Sequence, residues 1–160
     1  DSLLAVSGKL ENSMGGSLLP TNNRAYVTGT ANFFPQIFNS NRRSVYLPVV
    51  RSALYEVYQV FDFAEPSVMN GKRDSTTIAT QALFMLNSPF MQQQAQLFAD
   101  RLTREAGSDT NARVARAFAL AFNRPPTPVE SASSTEFVEK EGLPTFCRAL
   151  FNASEFLYLD

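Results

Sequence analysis

Arg43, Arg51, Asp62 and Arg73, with Asp74 beside the last, sit in short motif-like strings between the N-terminal third and the middle of the chain. Drawn together, they could form a pocket for an anion or a carbohydrate, since guanidinium groups fork onto planar oxyanions. They would serve equally as ion pairs and helix caps that tie a loop to its helices, and charge networks of that kind are often structural. The structural reading is the favoured one. Glu130, Glu136, Glu139 and Glu141 offer the carboxylates that a glycosidase needs as a facing pair. All four fall on one expected helix, where they read as a solvated face. No spaced Asp-x-Asp loop for Ca²⁺ is present. Asn152-Ala153-Ser154 fits a glycosylation sequon, but it reads better as the cap or end of the last helix.

Absences narrow the chemistry further. The chain of 160 residues has no histidine and one cysteine, Cys147. That removes Ser-His-Asp and Cys-His catalysis, His-ligated zinc, thiolate metal clusters and the Cys-x-x-Cys-His haem attachment. No metal site and no cofactor is expected here. Gly15-Gly16 stands alone, without the Gly and Lys of a phosphate loop. Net charge is −1, so no global field favours nucleic acid or an anionic membrane. Tyr and Phe without a basic stripe also argue against nucleic acid. No apolar run approaches the roughly 20 residues that span a bilayer. The start at Asp1 suggests a chain trimmed from something longer.

These residues are positioned by what reads as a mainly α, all-α fold: an irregular bundle of about six helices, one domain over 1–160, with a long loop region at 11–43. Arg73 to Asn87 looks like the central helix. Ile78, Ala79, Ala82, Leu83, Met85 and Leu86 cover most of its circumference, which predicts packing on several sides. Asp74 or Ser75 would cap it and Asn87-Ser88-Pro89 would end it. Ser2 to Gly8 reads as a helix tail stopped by Gly8. From Glu11 to Arg43 the pattern is irregular, with one possible short β-hairpin about Gly29. Leu54, Val57, Tyr58 and Phe61 mark one helical face. Ser88-Pro89 opens a long helix with a stripe of Met91, Ala95, Phe98 and Leu102, ended by Gly107. Asp109 caps the next, with Val114, Phe118, Ala121 and Phe122 inward. Thr127 and Glu130 form a capping box for a helix that Gly142 stops. A last helix from about Pro144 carries Phe146, Ala149 and Leu150 towards Phe156.

Two stretches carry the remaining expectations. Glu11 to Arg43 is long for a loop: Phe33, Phe34, Ile37 and Phe38 pin it to the core, or Phe33, Phe34 and Phe38, within Tyr26 to Asn41, present a patch to a protein partner. Gln81 falls inside the apolar circumference of the expected central helix. A buried amide there needs partners, so Gln81 reads as a clamp to the segment around Arg43 to Arg51.

The full set of strings resembles a known family. They are Leu3-Leu4-Ala5-Val6-Ser7-Gly8-Lys9-Leu10, Gly15-Gly16, Arg43-Ser44-Val45-Tyr46-Leu47-Pro48-Val49-Val50-Arg51 and Phe61-Asp62. Arg73 with Thr77, Gln81-Ala82-Leu83 and Leu86-Asn87 follow. The last are Arg124-Pro125-Pro126-Thr127-Pro128-Val129-Glu130 and Asn152 to Asp160. Together they resemble the planctomycete-specific domain of unknown function 1553, found at the C-terminal end of large bacterial proteins. Two departures stand out: Tyr26 to Asn41 looks like an insertion, and Asn123 stands where a Gly usually precedes the Arg-x-Pro string. The resemblance implies a parent with a second domain of unknown function and often a cytochrome-c-like domain that holds the haem. It implies export from the cytoplasm, and it implies no reaction. The expected function is therefore a non-catalytic structural or interaction module that packs on the upstream domains of its own polypeptide or binds a partner. The alternative is half of a composite active or ligand-binding site, for polysaccharide or redox chemistry, with charge from Arg43, Arg51, Asp62 and Arg73.

Overall fold

A computed structural model of the chain describes residues 1–19, 38–49, 54–61, 63–64 and 79–158. The described residues hold eight α-helices: α1 (Ser2–Ser7), α2 (Glu56–Val60), α3 (Ala79–Asn87), α4 (Pro89–Ala106), α5 (Thr110–Phe122), α6 (Pro128–Glu141), α7 (Leu143–Phe151) and α8 (Ser154–Leu157). A 3-10 turn spans Ser44–Tyr46. The class is mainly α, with eight helices where about six were expected. No strand occurs among the described residues, whose one isolated bridge pairs Glu11 with Arg42. The residues of the expected hairpin lie outside the described ones. Contacts group the chain into two compact units: Asp1–Lys9 with Ala82–Asp160, and Leu10–Gln81.

In the first unit the helix limits follow from local chemistry. Ser88 Oγ accepts from Met91 N at 3.2 Å and Pro89 occupies the first turn of α4, where its missing N–H costs nothing. Asp109 accepts from Asn111 N and opens α5. Thr127 and Glu130 form a complete capping box at the start of α6. Asn123 ends α5 in the left-handed conformation (φ 56°), so the turn keeps a geometry that Gly would adopt freely.

The central helix is α4, not the one expected. Met91, Gln94, Ala95, Phe98, Ala99 and Leu102 are all buried along it, and it packs on α1, α5 and α7. α3 buries Phe84 and Met85, while Leu83 and Leu86 stay 57% and 45% exposed, so it packs on one side only. Its expected caps at Asp74 and Ser75 lie outside the described residues. α7 crosses α4 with Leu143, Phe146, Cys147, Leu150 and Phe151 inward, and Phe98 stacks on Phe151 at 5.5 Å. Ala149, expected inward, is exposed, because the buried arc of α7 centres on Cys147 and Leu150. The expected last helix is two. Asn152 N still donates to Arg148 O at 3.2 Å, but Ala153 N turns to Leu150 O at 3.1 Å, a tighter i−3 bond that ends α7, and Asn152 Nδ2 donates to Arg148 O at 2.7 Å and to Met85 O at 3.4 Å.

α1 is fixed to α4 by polar links. Ser7 Oγ donates to Gln94 Oε1 at 2.6 Å, with both residues buried. Arg101 Nη1 donates to Ala5 O and Val6 O, both at 2.9 Å, and satisfies carbonyls at the end of α1. Gly8 follows in the left-handed region (φ 75°), and a Cβ there would sit 3.2 Å from Arg101 Cδ.

In the second unit Glu11 N donates to Asn41 O at 2.8 Å, beside the bridge. Leu54, Val57, Tyr58 and Phe61 are half-buried and Glu56 and Gln59 exposed, as an amphipathic α2 requires. Phe38, Tyr55, Tyr58 and Phe63 form a row of rings at centroid distances of 4.6, 5.6 and 4.7 Å. Phe38 is buried within this row, so its ring is not a free partner surface. Phe33 and Phe34 lie outside the described residues. No described helix is long and apolar enough to cross a membrane.

Candidate functional site

Of the four charged residues singled out in the sequence, Arg43 is exposed and precedes the 3-10 turn as its N-cap. Arg51, Asp62 and Arg73 lie outside the described residues. Its neighbour Arg42 is the residue that sequence reasoning missed. Arg42 is 9% exposed. Its Nη2 donates to Ser13 O and Gly15 O, and its guanidinium lies 4.3 Å over the Tyr46 ring. Its Nε is buried without a hydrogen-bond partner. Gly15 and Gly16, both at positive φ, shape the carbonyl cradle. This second-unit cation is held by carbonyls and a ring face, with no carboxylate on it among the described residues.

The charged residues of the Arg124-to-Glu130 string form a closed network in the first unit. Arg124 Nη1 and Nη2 donate to Glu130 at 2.9 and 2.7 Å. Its Nε and Nη2 donate to Glu155 at 2.7 and 2.8 Å. The guanidinium also lies 5.4 Å from the Phe118 centroid and 5.7 Å from that of Phe122, within cation–π range. Glu130 Oε2 accepts from Thr127 N at 2.7 Å, which joins the fork to the capping box. The Arg124 hydrogen bonds hold the Glu130 carboxyl down at about 2 and pull Glu155 below the usual carboxylate range. A carboxyl kept ionised in this way is the reverse of a general acid, which must hold a proton near neutrality. Glu136, Glu139 and Glu141 are exposed on α6, and no facing carboxylate pair forms there. Glu105, lowered by Arg101 and then Arg116, belongs to another structural pair at the end of α4.

A second feature of the first unit is open. Gln92, Ala95 and Gln96 of α4 and Pro144, Thr145 and Arg148 of α7 line a groove of about 310 Å³. Ala95 belongs to the buried stripe of α4 and the others lie on the arc beside the buried residues of their helix, so the groove follows the crossing of α4 and α7. Gln92 Nε2 donates to Asn87 O at 3.4 Å, and Gln96 Nε2 donates to Asp100 Oδ1 at 2.9 Å. Arg148 is half-buried, and its guanidinium makes no hydrogen bond or ion pair among the described residues. Helical periodicity places Thr145 and Arg148 on one arc, but nothing in the sequence says that Gln92 and Gln96 face them across 50 positions.

Among the described residues no group of three or more His, Cys, Asp or Glu could hold a metal. Cys147 is buried, and burial pushes its thiol well above the ordinary value, which disfavours the reactive thiolate.

No curated protein and no solved structure matches this chain. A family model described as protein of unknown function (DUF1553), PSD1, matches residues 1–138. The match takes in every string quoted above up to Glu130 and stops short of Asn152 to Asp160. Covering most of the chain, it places this protein in the DUF1553 family of proteins of unknown function.

Proposed function

We propose that this chain is a non-catalytic helical module of a larger exported bacterial protein, which packs against other domains of its own polypeptide or binds a partner. One observation carries the reading: the charges of the Arg124-to-Glu130 string are spent on one another, with Arg124 forked onto Glu130 and Glu155 and anchored to the Thr127 cap. Such a network fixes the α5–α6 turn to α8 and leaves neither Glu130 nor Glu155 poised as a proton donor. The family resemblance supplies the context of a planctomycete parent, located outside the cytoplasm, with a cytochrome-c-like domain. Haem would belong to that domain, because this chain has no histidine. Gln81, half-buried in α3, belongs to the same reading as a clamp to the segment around Arg43 to Arg51.

The composite site is the second reading. It draws on the exposed Arg43 beside a buried Arg42 whose Nε has no hydrogen-bond partner and which meets no carboxylate among the described residues. The test is to express the full polypeptide with and without residues 1–160, and with Arg43→Ala. Assembly, haem content and glycan turnover are then measured. Loss of assembly on deletion, with Arg43→Ala unchanged in every readout, supports the module. Glycan turnover or redox activity lost in Arg43→Ala, with assembly intact, replaces it by the composite site.

A further inference from the structure

The groove between α4 and α7 brings together groups that the fold leaves unused. Arg148 has five N–H donors and a fixed positive charge, and no described residue takes them up. The two amides that face it are oriented by their own contacts. Asn87 O and Asp100 Oδ1 are acceptors, so each must receive Nε2, and each glutamine keeps Oε1 as its free acceptor. Thr145 adds a hydroxyl that can donate or accept, and Ala95 and Pro144 supply a small apolar floor.

We propose that this groove binds an acidic side chain of a polypeptide partner, the carboxylate forked on Arg148 and the adjacent backbone N–H groups received by Gln92 and Gln96. The proposal rests on the interaction-module reading and gives it a contact surface. A bare inorganic anion would use the donors and leave the two Oε1 acceptors of Gln92 and Gln96 without a partner. A carboxylate with N–H groups close by satisfies donors and acceptors together. Size and shape choose the source. The groove measures about 310 Å³ and opens to solvent. It is at the small end of small-molecule sites, which enclose most of their ligand. One side chain from a longer chain needs no such enclosure. Charge complementarity then selects Asp or Glu over a neutral residue.

The test uses the full 160-residue chain, labelled with nitrogen-15, and four probes. These are acetyl-Gly-Glu-Gly-amide, its Gln counterpart, malate as a free hydroxy acid, and inorganic phosphate. The Glu peptide is expected to shift the side-chain resonances of Gln92, Gln96 and Arg148 and the amide of Thr145, with millimolar affinity that weakens in salt. Arg148→Gln should weaken it by about tenfold, the scale of one charge-assisted fork, and leave the unfolding midpoint unchanged. Equal binding of the Gln peptide, tighter binding of phosphate or malate, no saturable shift, or shifts elsewhere would overturn the proposal. Assembly of the full polypeptide carrying Arg148→Gln separates the two readings. If deleting the domain abolishes assembly and Arg148→Gln does not, the groove fails while the module stands.

Discussion

The Arg124 fork makes a prediction about acid that the structure sizes directly. Glu130 accepts two hydrogen bonds from Arg124, at 2.7 and 2.9 Å, and one from Thr127 N at 2.7 Å. Its carboxyl falls from 4.5 to about 2, with the Arg124 bonds the largest cause and the Thr127 backbone next. A carboxyl whose folded value lies below its unfolded value stabilises the fold above the unfolded value, and that contribution is lost as pH falls through the folded one. The window for Glu130 therefore runs from about 4.5 down to about 2. Glu155 acts in the same direction, again chiefly through Arg124. Arg124→Gln removes the first cause and leaves the Thr127 N–H. Glu130 should then titrate clearly above its wild-type value and still below 4.5, and Glu155 should return towards the usual range. Carbon-detected NMR of the glutamate carboxyls reads both values, and thermal melting across the window reads the linkage. The wild type should lose stability more steeply in acid than the variant does. Arg124 and Glu130 side chains are 35% and 34% exposed, so high salt should shrink the shift. A wild-type Glu130 that titrates near 4.5, or one that Arg124→Gln leaves in place, would refute the closed network. Arg124 would then be free in solution, and the argument from spent charges would lose its support.

Other outcomes follow from packing and composition. Phe98→Ala and Phe151→Ala each remove a fully buried ring from the α4–α7 crossing and should cost about 3–5 kcal/mol in urea unfolding. Gly8→Ala forces a Cβ into the left-handed region and against Arg101, a cost of about 1–2 kcal/mol for the backbone alone; Gly8→Asn should cost less, and equal midpoints would deny the strain. Phe38→Ser should lower stability by several kcal/mol, about the scale of other buried aromatics, and a neutral result would return Phe38 to the list of partner contacts. The purified chain should carry neither haem absorbance nor stoichiometric zinc by elemental analysis, having no histidine and a single buried thiol.

Local chemistry was legible and convergence was not. Ser88-Pro89, Asp109, the Thr127–Glu130 box and Gly142 mark helix ends where the sequence places them, because a cap is decided within four residues. The position of α3 was misread for a physical reason. An apolar circumference states what a helix could bury, not how many neighbours reach it, and Leu83 and Leu86 stay wet. The expected last helix is two because Ala153 N closes a tighter i−3 bond to Leu150 O, a local turn that periodicity does not count. Attention to Arg43 over Arg42 has a related cause. In an irregular segment no period assigns a face, so neighbouring residues cannot be told apart until the Gly15 turn supplies a cradle for one of them. The groove was invisible for the opposite reason: its two arcs are each regular, but their meeting is a matter of helix crossing.

The use made of each arginine decides where a partner could act on the first unit. Arg101 closes the end of α1, Arg116 pairs with Glu105, Arg113 donates to Gly107 O, and Arg124 is forked onto two carboxylates. Removing any of these changes the fold before it changes recognition, because a helix end or a carboxylate loses its partner. Arg104 stands exposed to solvent on α4, and Arg148 is different in kind. It is half-buried and so partly desolvated, yet no protein group repays that desolvation among the described residues. Its charge therefore adds little to folding and stays available for a carboxylate brought by another chain. That asymmetry makes Arg148→Gln the informative change, since it alters recognition on a fold that remains intact.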